Sequence, residues 1–160
     1  MKAMHIYQEL HILSTSSEQS LAVGKQLGRH IRAGQLIELI GDLGGGKTTL
    51  VKGIAAGLGI TKTITSPTFS IQRSYELPRG GSLEHFDLYR LEGQDTVTQE
   101  LEEYLADPRA IVVIEWTKPF IATLRPDRLI IELRWKAEDV RDITITATGK
   151  TSQLLIEAMK

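Results

Sequence analysis

The chain has no cysteine among its 160 residues, which excludes disulfides and thiolate metal sites at once. Proline is scarce, at five residues, and neither a low-complexity tract nor a long linker splits the chain. No apolar run approaches the roughly 20 residues of a membrane span. Residues 1–30 also lack the basic start, continuous apolar stretch and small-residue cleavage site of a signal peptide, so a cytoplasmic protein without membrane contact is expected. Nor does charge of one sign dominate: 19 basic residues face 20 acidic ones. That balance excludes a general electrostatic attraction to nucleic acid and leaves any RNA contact to a local patch or a partner protein. His5, His11, His30 and His85 share no metal-ligand spacing and are expected to be structural or exposed. What is present, 41% hydrophobic and 24% charged residues, is the composition of an ordinary globular protein able to bury a core, and a single domain over 1–160 is expected.

Apolar periodicity alternates between strand and helix. "HIYQELHIL" reads as a strand and "STSSEQSLAVGKQLGRHI" as a helix opened by Ser/Thr caps, with Leu21, Ala22, Leu27 and Ile31 turned inward. "QLIELI" reads as a buried strand, and Leu50, Ile54 and Leu58, with Val51 and Ala55 beside them, as a helical stripe stopped by Gly57 and Gly59. "FSIQRSYEL" and "SLEHFDLY" flank "PRGG" as a hairpin; "DTVTQELEEYLA" is helical and "AIVVIEW" is a second buried strand. Two strands, "RLIIELRW" and "DITITAT", and the helix "SQLLIEAM" close the chain. The order predicts an α/β layer sandwich around a mixed sheet.

Between the strand "QLIELI" and the helix that follows stands "GDLGGGKTT". Three consecutive glycines are costly in regular structure, so the backbone there must do something that side chains would prevent. Gly41, four intervening residues, Gly46, Lys47 and Thr48 match the phosphate-binding loop pattern in the strand-to-helix context it requires. Successive N–H groups and the helix N-terminus favour an anion, the Lys47 ammonium reaches β- and γ-phosphates, and the Thr48 hydroxyl can ligate Mg²⁺. The pattern therefore marks Gly41, Gly46, Lys47 and Thr48 as candidates for binding a phosphate-bearing ligand with Mg²⁺.

Such a site needs a further carboxylate for the metal. Glu115 closes "AIVVIE", the shape of a Walker B strand, and Asp87 in "HFDLYR" follows a shorter apolar element. The plainer alternatives are a solvated strand-end acid for Glu115 and an ion pair with Arg90 for Asp87. "TSPTFS", Thr65 to Ser70, is either a Ser-Pro turn or a switch-like loop whose Ser66 or Thr68 hydroxyl meets the γ-phosphate or the attacking water. Trp116 either packs in the core or shapes the nucleotide site, Trp135 is expected to pack at a strand end, and the acidic "ELEEY" is expected to be a solvated helix face.

Taken together, "GDLGGGKTTLVKGIAAGLGI", "SPTFSIQRSYE", "HFDLYRL" and "IEW", in that order and spacing, resemble the TsaE family, small P-loop ATPases of bacterial tRNA threonylcarbamoyladenosine synthesis, from about residue 14 to about residue 148. The resemblance implies a P-loop NTPase-like three-layer α/β sandwich with a mixed, mostly parallel central sheet and a β-hairpin insertion. It also implies a Mg-dependent ATPase, slow alone and stimulated by partners. Working with TsaB and TsaD, and reaching tRNA only through that complex, it supports N6-threonylcarbamoyl transfer to the adenosine next to the anticodon. The family's phosphate loop, which takes ATP with Mg²⁺, maps onto Gly41, Asp42, Leu43, Gly44, Gly45, Gly46, Lys47, Thr48 and Thr49. Its metal residues map onto Thr48 and Glu115 and its functional acid onto Asp87, which is carried as both a catalytic and a metal candidate beside Lys47 and Thr68. Its switch-like segment maps onto Ser66, Pro67, Thr68 and Phe69. Departures are Gly45 in place of the usual alanine, "EWTKP" without the usual Pro or Ala after tryptophan, and "TVTQELEEYL" without a customary Leu-Gly.

Two rival functions share the loop. A small-molecule or nucleotide kinase commonly carries a lid with clustered arginines, and the arginines here are dispersed. A non-hydrolysing ATP-gated adaptor would bind nucleotide without turnover. A GTPase is unsupported, because "TKPF" has Phe120 where a base-reading aspartate belongs. No arginine's sequence position marks it as a catalytic finger; Arg73 and Arg90 are the nearest to the site motifs.

Overall fold

The computed structural model of the chain describes residues 8–42, 44–67, 70–89 and 95–160. In chain order the elements are β1 (Gln8–Ser14), α1 (Ser17–His30), β2 (Leu36–Gly41), α2 (Lys47–Gly57), β3 (Gln72–Glu76), β4 (Ser82–Asp87), α3 (Asp95–Ala106), β5 (Ala110–Glu115), a 3₁₀ turn (Lys118–Thr123), β6 (Leu129–Ala137), β7 (Val140–Ala147) and α4 (Lys150–Met159). The sheet runs β1-β7-β6-β2-β5-β4-β3. β4, β5, β2 and β6 pair in parallel, while β3 and β7 run against them and β1 runs against β7, so five of the seven strands share one direction. The fold is that of a P-loop protein, with a mixed and mostly parallel sheet between two helical layers.

Burial explains the composition of each strand. β5 is buried at every position and β2 at its first four, as central strands covered on both faces must be, and both read as near-continuous apolar runs. The edge strand β1 instead alternates half-buried and exposed residues. On one face Leu27, Leu50, Ile54, Leu155 and Ile156 from α1, α2 and α4 pack against Ile37, Leu39, Val113 and Ile131. On the other, Val97 and Leu101 of α3 and Phe120 and Leu124 of the 3₁₀ region pack against Leu36, Phe86, Val112 and Ile114. The expected hairpin is present as β3 and β4, registered Gln72↔Phe86 to Glu76↔Ser82, yet β4 also pairs in parallel with β5. Only β3 is an addition at the sheet edge; β4 belongs to the parallel centre.

The inward face of α1 differs from the expected one. Leu21 and Ala22 are exposed, and the buried residues of the helix are Ser20, Gly24, Leu27 and Gly28. The reason is backbone contact with α2: a Cβ on Gly24 would lie 2.3 Å from Leu50 O, and one on Gly53 would lie 2.3 Å from Leu21 O. No side chain can stand at that crossing, so small residues occupy it and bulky ones are turned outward. Gly53→Ala therefore separates two opposing effects. Helix propensity favours alanine by about 1 kcal/mol. Steric overlap with a backbone carbonyl costs about 1–3 kcal/mol or more. Packing should win, and urea unfolding should show a net loss of stability of about 2 kcal/mol; a stabilised variant would mean that α1 and α2 do not touch in this way.

Candidate nucleotide and metal site

β2 delivers the chain to Gly41, and the loop beyond it turns into α2. Gly46 is the N-cap of α2 with φ +97°, and no side chain caps the helix. The first amides of α2 therefore have no side-chain acceptor, which suits a phosphate oxygen. Gly45 donates its N–H to Asp42 O at 2.9 Å, and a Cβ on Gly45 would stand 2.8 Å from that oxygen. The turn is tight enough that its backbone approaches itself, which answers why the glycines are there.

Lys47 is 5% exposed and its ammonium lies along the loop. Nζ donates to Gly41 O at 2.6 Å and Asp42 O at 2.9 Å, and it stands 4.9 Å from the centroid of the Trp116 ring. Across from it, Asp87 and Glu115 are register partners at the ends of the parallel strands β4 and β5, so the pleat sends both carboxylates to one face. Both are buried. Asp87 Oδ1 accepts from Tyr89 N–H at 3.1 Å, and Asp87 N–H donates to Ile71 O at 2.8 Å. Glu115 Oε1 lies 2.8 Å from His85 Nε2. A cavity of about 260 Å³ is bounded by Gly44 to Thr49, Ser66, Asp87, Glu115 and Trp116. It opens at the carboxyl ends of β2, β4 and β5, where open α/β sheets bind ligands.

Of the residues expected from the sequence, Gly44, Gly45, Gly46, Lys47, Thr48, Thr49, Asp87 and Glu115 line this cavity. Gly41 and Asp42 adjoin it through their carbonyls on Lys47. Leu43, Thr68, Phe69 and Arg90 lie outside the described residues. Thr48, Asp87 and Glu115 offer only oxygen donors, the donor set that a hard cation such as Mg²⁺ prefers. Among the described residues no group of three His, Cys, Asp or Glu is assembled for a metal, so a cation here would rely on oxygens from the nucleotide and water as well.

Four further residues bear on the site or its surroundings. His85 has no exposure, yet it is no passive core residue, since its Nε2 meets Glu115 while Nδ1 has no partner among the described residues. Arg141 lies against the phosphate loop: Nε donates to Gly45 O at 3.1 Å, and Nη1 to the carbonyls of Ala137, Glu138 and Val140. Trp116 lines the cavity with φ +61°, a left-handed conformation that costs a non-glycine residue about 1–3 kcal/mol. Its indole packs on Tyr89 at 4.9 Å between centroids, and the next residue is anchored below the sheet, where Thr117 Oγ1 donates to Glu38 Oε1 and Arg128 Nε donates to Glu38 Oε2 at 2.7 Å. Trp135, expected to pack, is 62% exposed: it lies two residues beyond the last pairing of β6 with β2 at Leu133, in the exposed end of the strand that pairs only with β7.

A second cavity, about 420 Å³, lies at the opposite end of the sheet among Gln35, Leu36, Arg125, Asp127, Arg128 and the start of α4. Burial lowers the Arg125 pKa from its ordinary value, against the opposing pull of the Asp127 charge. Burial by itself would raise the Asp127 carboxyl, but hydrogen bonds from Ser152 and Thr151 outweigh it and hold the group below the usual carboxylate range. Asp127 accepts from Thr151 N–H at 2.8 Å and Ser152 N–H at 3.0 Å and so already caps α4. This end of the sheet holds none of the residues expected from the sequence.

A family model described as threonylcarbamoyl adenosine biosynthesis protein TsaE matches residues 14–143. The chain belongs to the TsaE family. Within that span lie the phosphate loop, "SPTF", "HFDLYR" and "IEW". Relatives named as tRNA threonylcarbamoyladenosine biosynthesis protein TsaE include one from Bacillus subtilis, 35% identical over 155 residues that cover 95% of this chain and 94% of that one. Another, from Streptomyces coelicolor, is 37% identical over 133 residues, covering 80% of this chain and 90% of its own. The crystal structure of Bacillus subtilis YdiB superposes with a TM-score of 0.81 at 33% identity, over 97% of this chain and 96% of that one. The resemblance drawn from the motifs and the fold class inferred with it are both borne out. Among the described residues no helix is long and apolar enough to cross a membrane.

Proposed function

We propose that the chain is the ATP-binding and ATP-hydrolysing component that, with TsaB and TsaD, supports N6-threonylcarbamoyladenosine modification of tRNA next to the anticodon. The observation that carries this reading is the convergence of Lys47, Thr48, Asp87 and Glu115 on one cavity at the strand ends of a TsaE-family fold. It acts as a single domain over residues 1–160 in the cytoplasm, and reaches tRNA only through its protein partners.

In this reading the loop amides from Gly44 to Thr49 and the uncapped start of α2 receive the β- and γ-phosphates. The Lys47 ammonium exchanges carbonyl partners for phosphate oxygens, a stronger charge-assisted bond. The Thr48 hydroxyl and the Glu115 carboxylate hold Mg²⁺, whose chemistry is to neutralise charge on the phosphates. Asp87, either as a further cation ligand or as the group that orients water, stands beside Glu115 on the same pleat face, and Thr68 of the switch-like segment positions the attacking water. The departure of "EWTKP" from the family pattern does not touch this set, since the Thr117 hydroxyl is engaged by buried Glu38.

Purified chain, TsaB, TsaD, tRNA and an activated threonylcarbamoyl donor, whose leaving group departs as the acyl group passes to the adenosine N6, decide the matter. Threonylcarbamoyladenosine should accumulate over repeated turnovers only when this chain and ATP are both present. Phosphate appearing on a small acceptor would favour the kinase, and full modification with a non-hydrolysable ATP analogue would favour the adaptor.

A further inference from the structure

We infer that His85 is a positioning residue for Glu115, holding one carboxylate oxygen so that the other is presented to the nucleotide-bound cation. The inference rests on the reading of Glu115 as a cation ligand.

His85 and Glu115 sit on adjacent parallel strands, with Asp87 paired to Glu115 and His85 paired to Val113 one pleat below. His85 therefore shares the pleat face of both carboxylates and lies beneath the cavity, not in it. Its Nε2 is 2.8 Å from Glu115 Oε1, with the histidine side chain fully buried and the glutamate side chain 5% exposed. That is the one side-chain hydrogen bond to Glu115 among the described residues. The ionised carboxylate accepts only, so Nε2 carries the proton and donates.

Two features separate this from ordinary core packing. First, Nδ1 is buried with no partner among the described residues, a cost that a leucine in the same space would not incur. A fold that tolerates an unpaired ring nitrogen gains something from the other one. Second, a carboxylate bonded at one oxygen cannot rotate freely about its last torsion, so its second oxygen keeps a fixed direction. Ligating carboxylates are commonly held by hydrogen bonds in this way, and losing such a partner lowers metal affinity about 10- to 100-fold.

The test uses Mn²⁺ as a probe of the ADP-bound protein, read by electron paramagnetic resonance, with ADP affinity in EDTA measured alongside. His85→Leu should weaken Mn²⁺ binding about 10- to 100-fold while leaving metal-free ADP affinity unchanged. His85→Gln, whose side-chain amide reaches the Nε2 position, should restore most of the affinity, whereas His85→Asn, one bond shorter, should not. Wild-type Mn²⁺ affinity in both His85→Leu and His85→Asn would overturn the inference. Should His85→Leu fail to fold, the comparison of Gln with Asn decides alone, and equal affinities would overturn it. Glu115→Gln separates the two levels. If it leaves Mn²⁺ affinity intact, Glu115 is not a cation ligand and the inference falls with that reading; if it weakens binding and the His85 variants do not, only the role of His85 is lost.

Discussion

Lys47→Ala should lower ATP turnover at least about 10²- to 10³-fold and weaken nucleotide binding, with the unfolding midpoint little changed. Among the described residues that line the cavity, Lys47 is the one cation. Its ammonium is already desolvated and held by Gly41 O and Asp42 O, so reaching a phosphate costs it little further dehydration. In the transition state, charge spreads over the oxygens of the transferring group, and a fixed ammonium in a water-poor cavity stabilises that charge more than it does the ground state. Lys47→Met keeps most of the aliphatic stem but removes the ammonium, and with it the hydrogen bonds to Gly41 O and Asp42 O and the contact with the Trp116 ring, so it should share the kinetic defect. Phosphate release at the wild-type rate in either variant would remove Lys47 from the chemistry.

Adding TsaB, TsaD and tRNA should raise phosphate release well above the rate of the isolated chain. An arginine supplied in trans is typically worth about 10³ to 10⁵ in rate. No arginine among the described residues lines the cavity. Arg73 stands exposed on the edge strand β3, and Arg141, although it touches the loop, is engaged with the carbonyls of Gly45, Ala137, Glu138 and Val140. Carbonyl oxygens on Arg141 make it a brace of the loop, so the expected stimulation would have to come from a group that a partner supplies or brings into place. The left-handed Ile71 (φ +67°) adjoins the "TSPTF" segment and is tied to Pro67 O at 2.7 Å and to Asp87 N–H, so movement of the loop would be felt at Asp87. Steady-state phosphate release with and without the partners is the measurement, and an unchanged rate would make the chain an autonomous ATPase or a kinase.

The phosphate-loop pattern was legible because it is local. Gly41 to Thr49 are covalent neighbours, and the pattern needs only their spacing and the helix that starts at Lys47. Strand-end acids were legible as candidates for a similar reason, since an apolar run followed by an acid marks where a buried strand leaves the core. That Asp87 and Glu115 stand side by side was not legible, because it depends on β4 pairing in parallel with β5 and on the register of that pair. The faces of α1 misled, since the periodicity of Leu21 and Ala22 is apolar while the true contact surface is made of glycines, whose signal is the absence of a side chain.

By itself the sequence determined the alternation of strands and helices, the phosphate-loop pattern and two candidate acids at strand ends, all properties of segments whose residues are near one another along the chain. Tertiary structure alone decided which partners those residues meet. His85 reaches Glu115 across 30 positions, Arg128 reaches Glu38 across 90, and Arg141 reaches Gly45 across 96. Each of these contacts joins elements or connections far apart along the chain, and no local spacing encodes it. Strand order and register set such distances, and they emerge only when the whole sheet buries both of its faces at once.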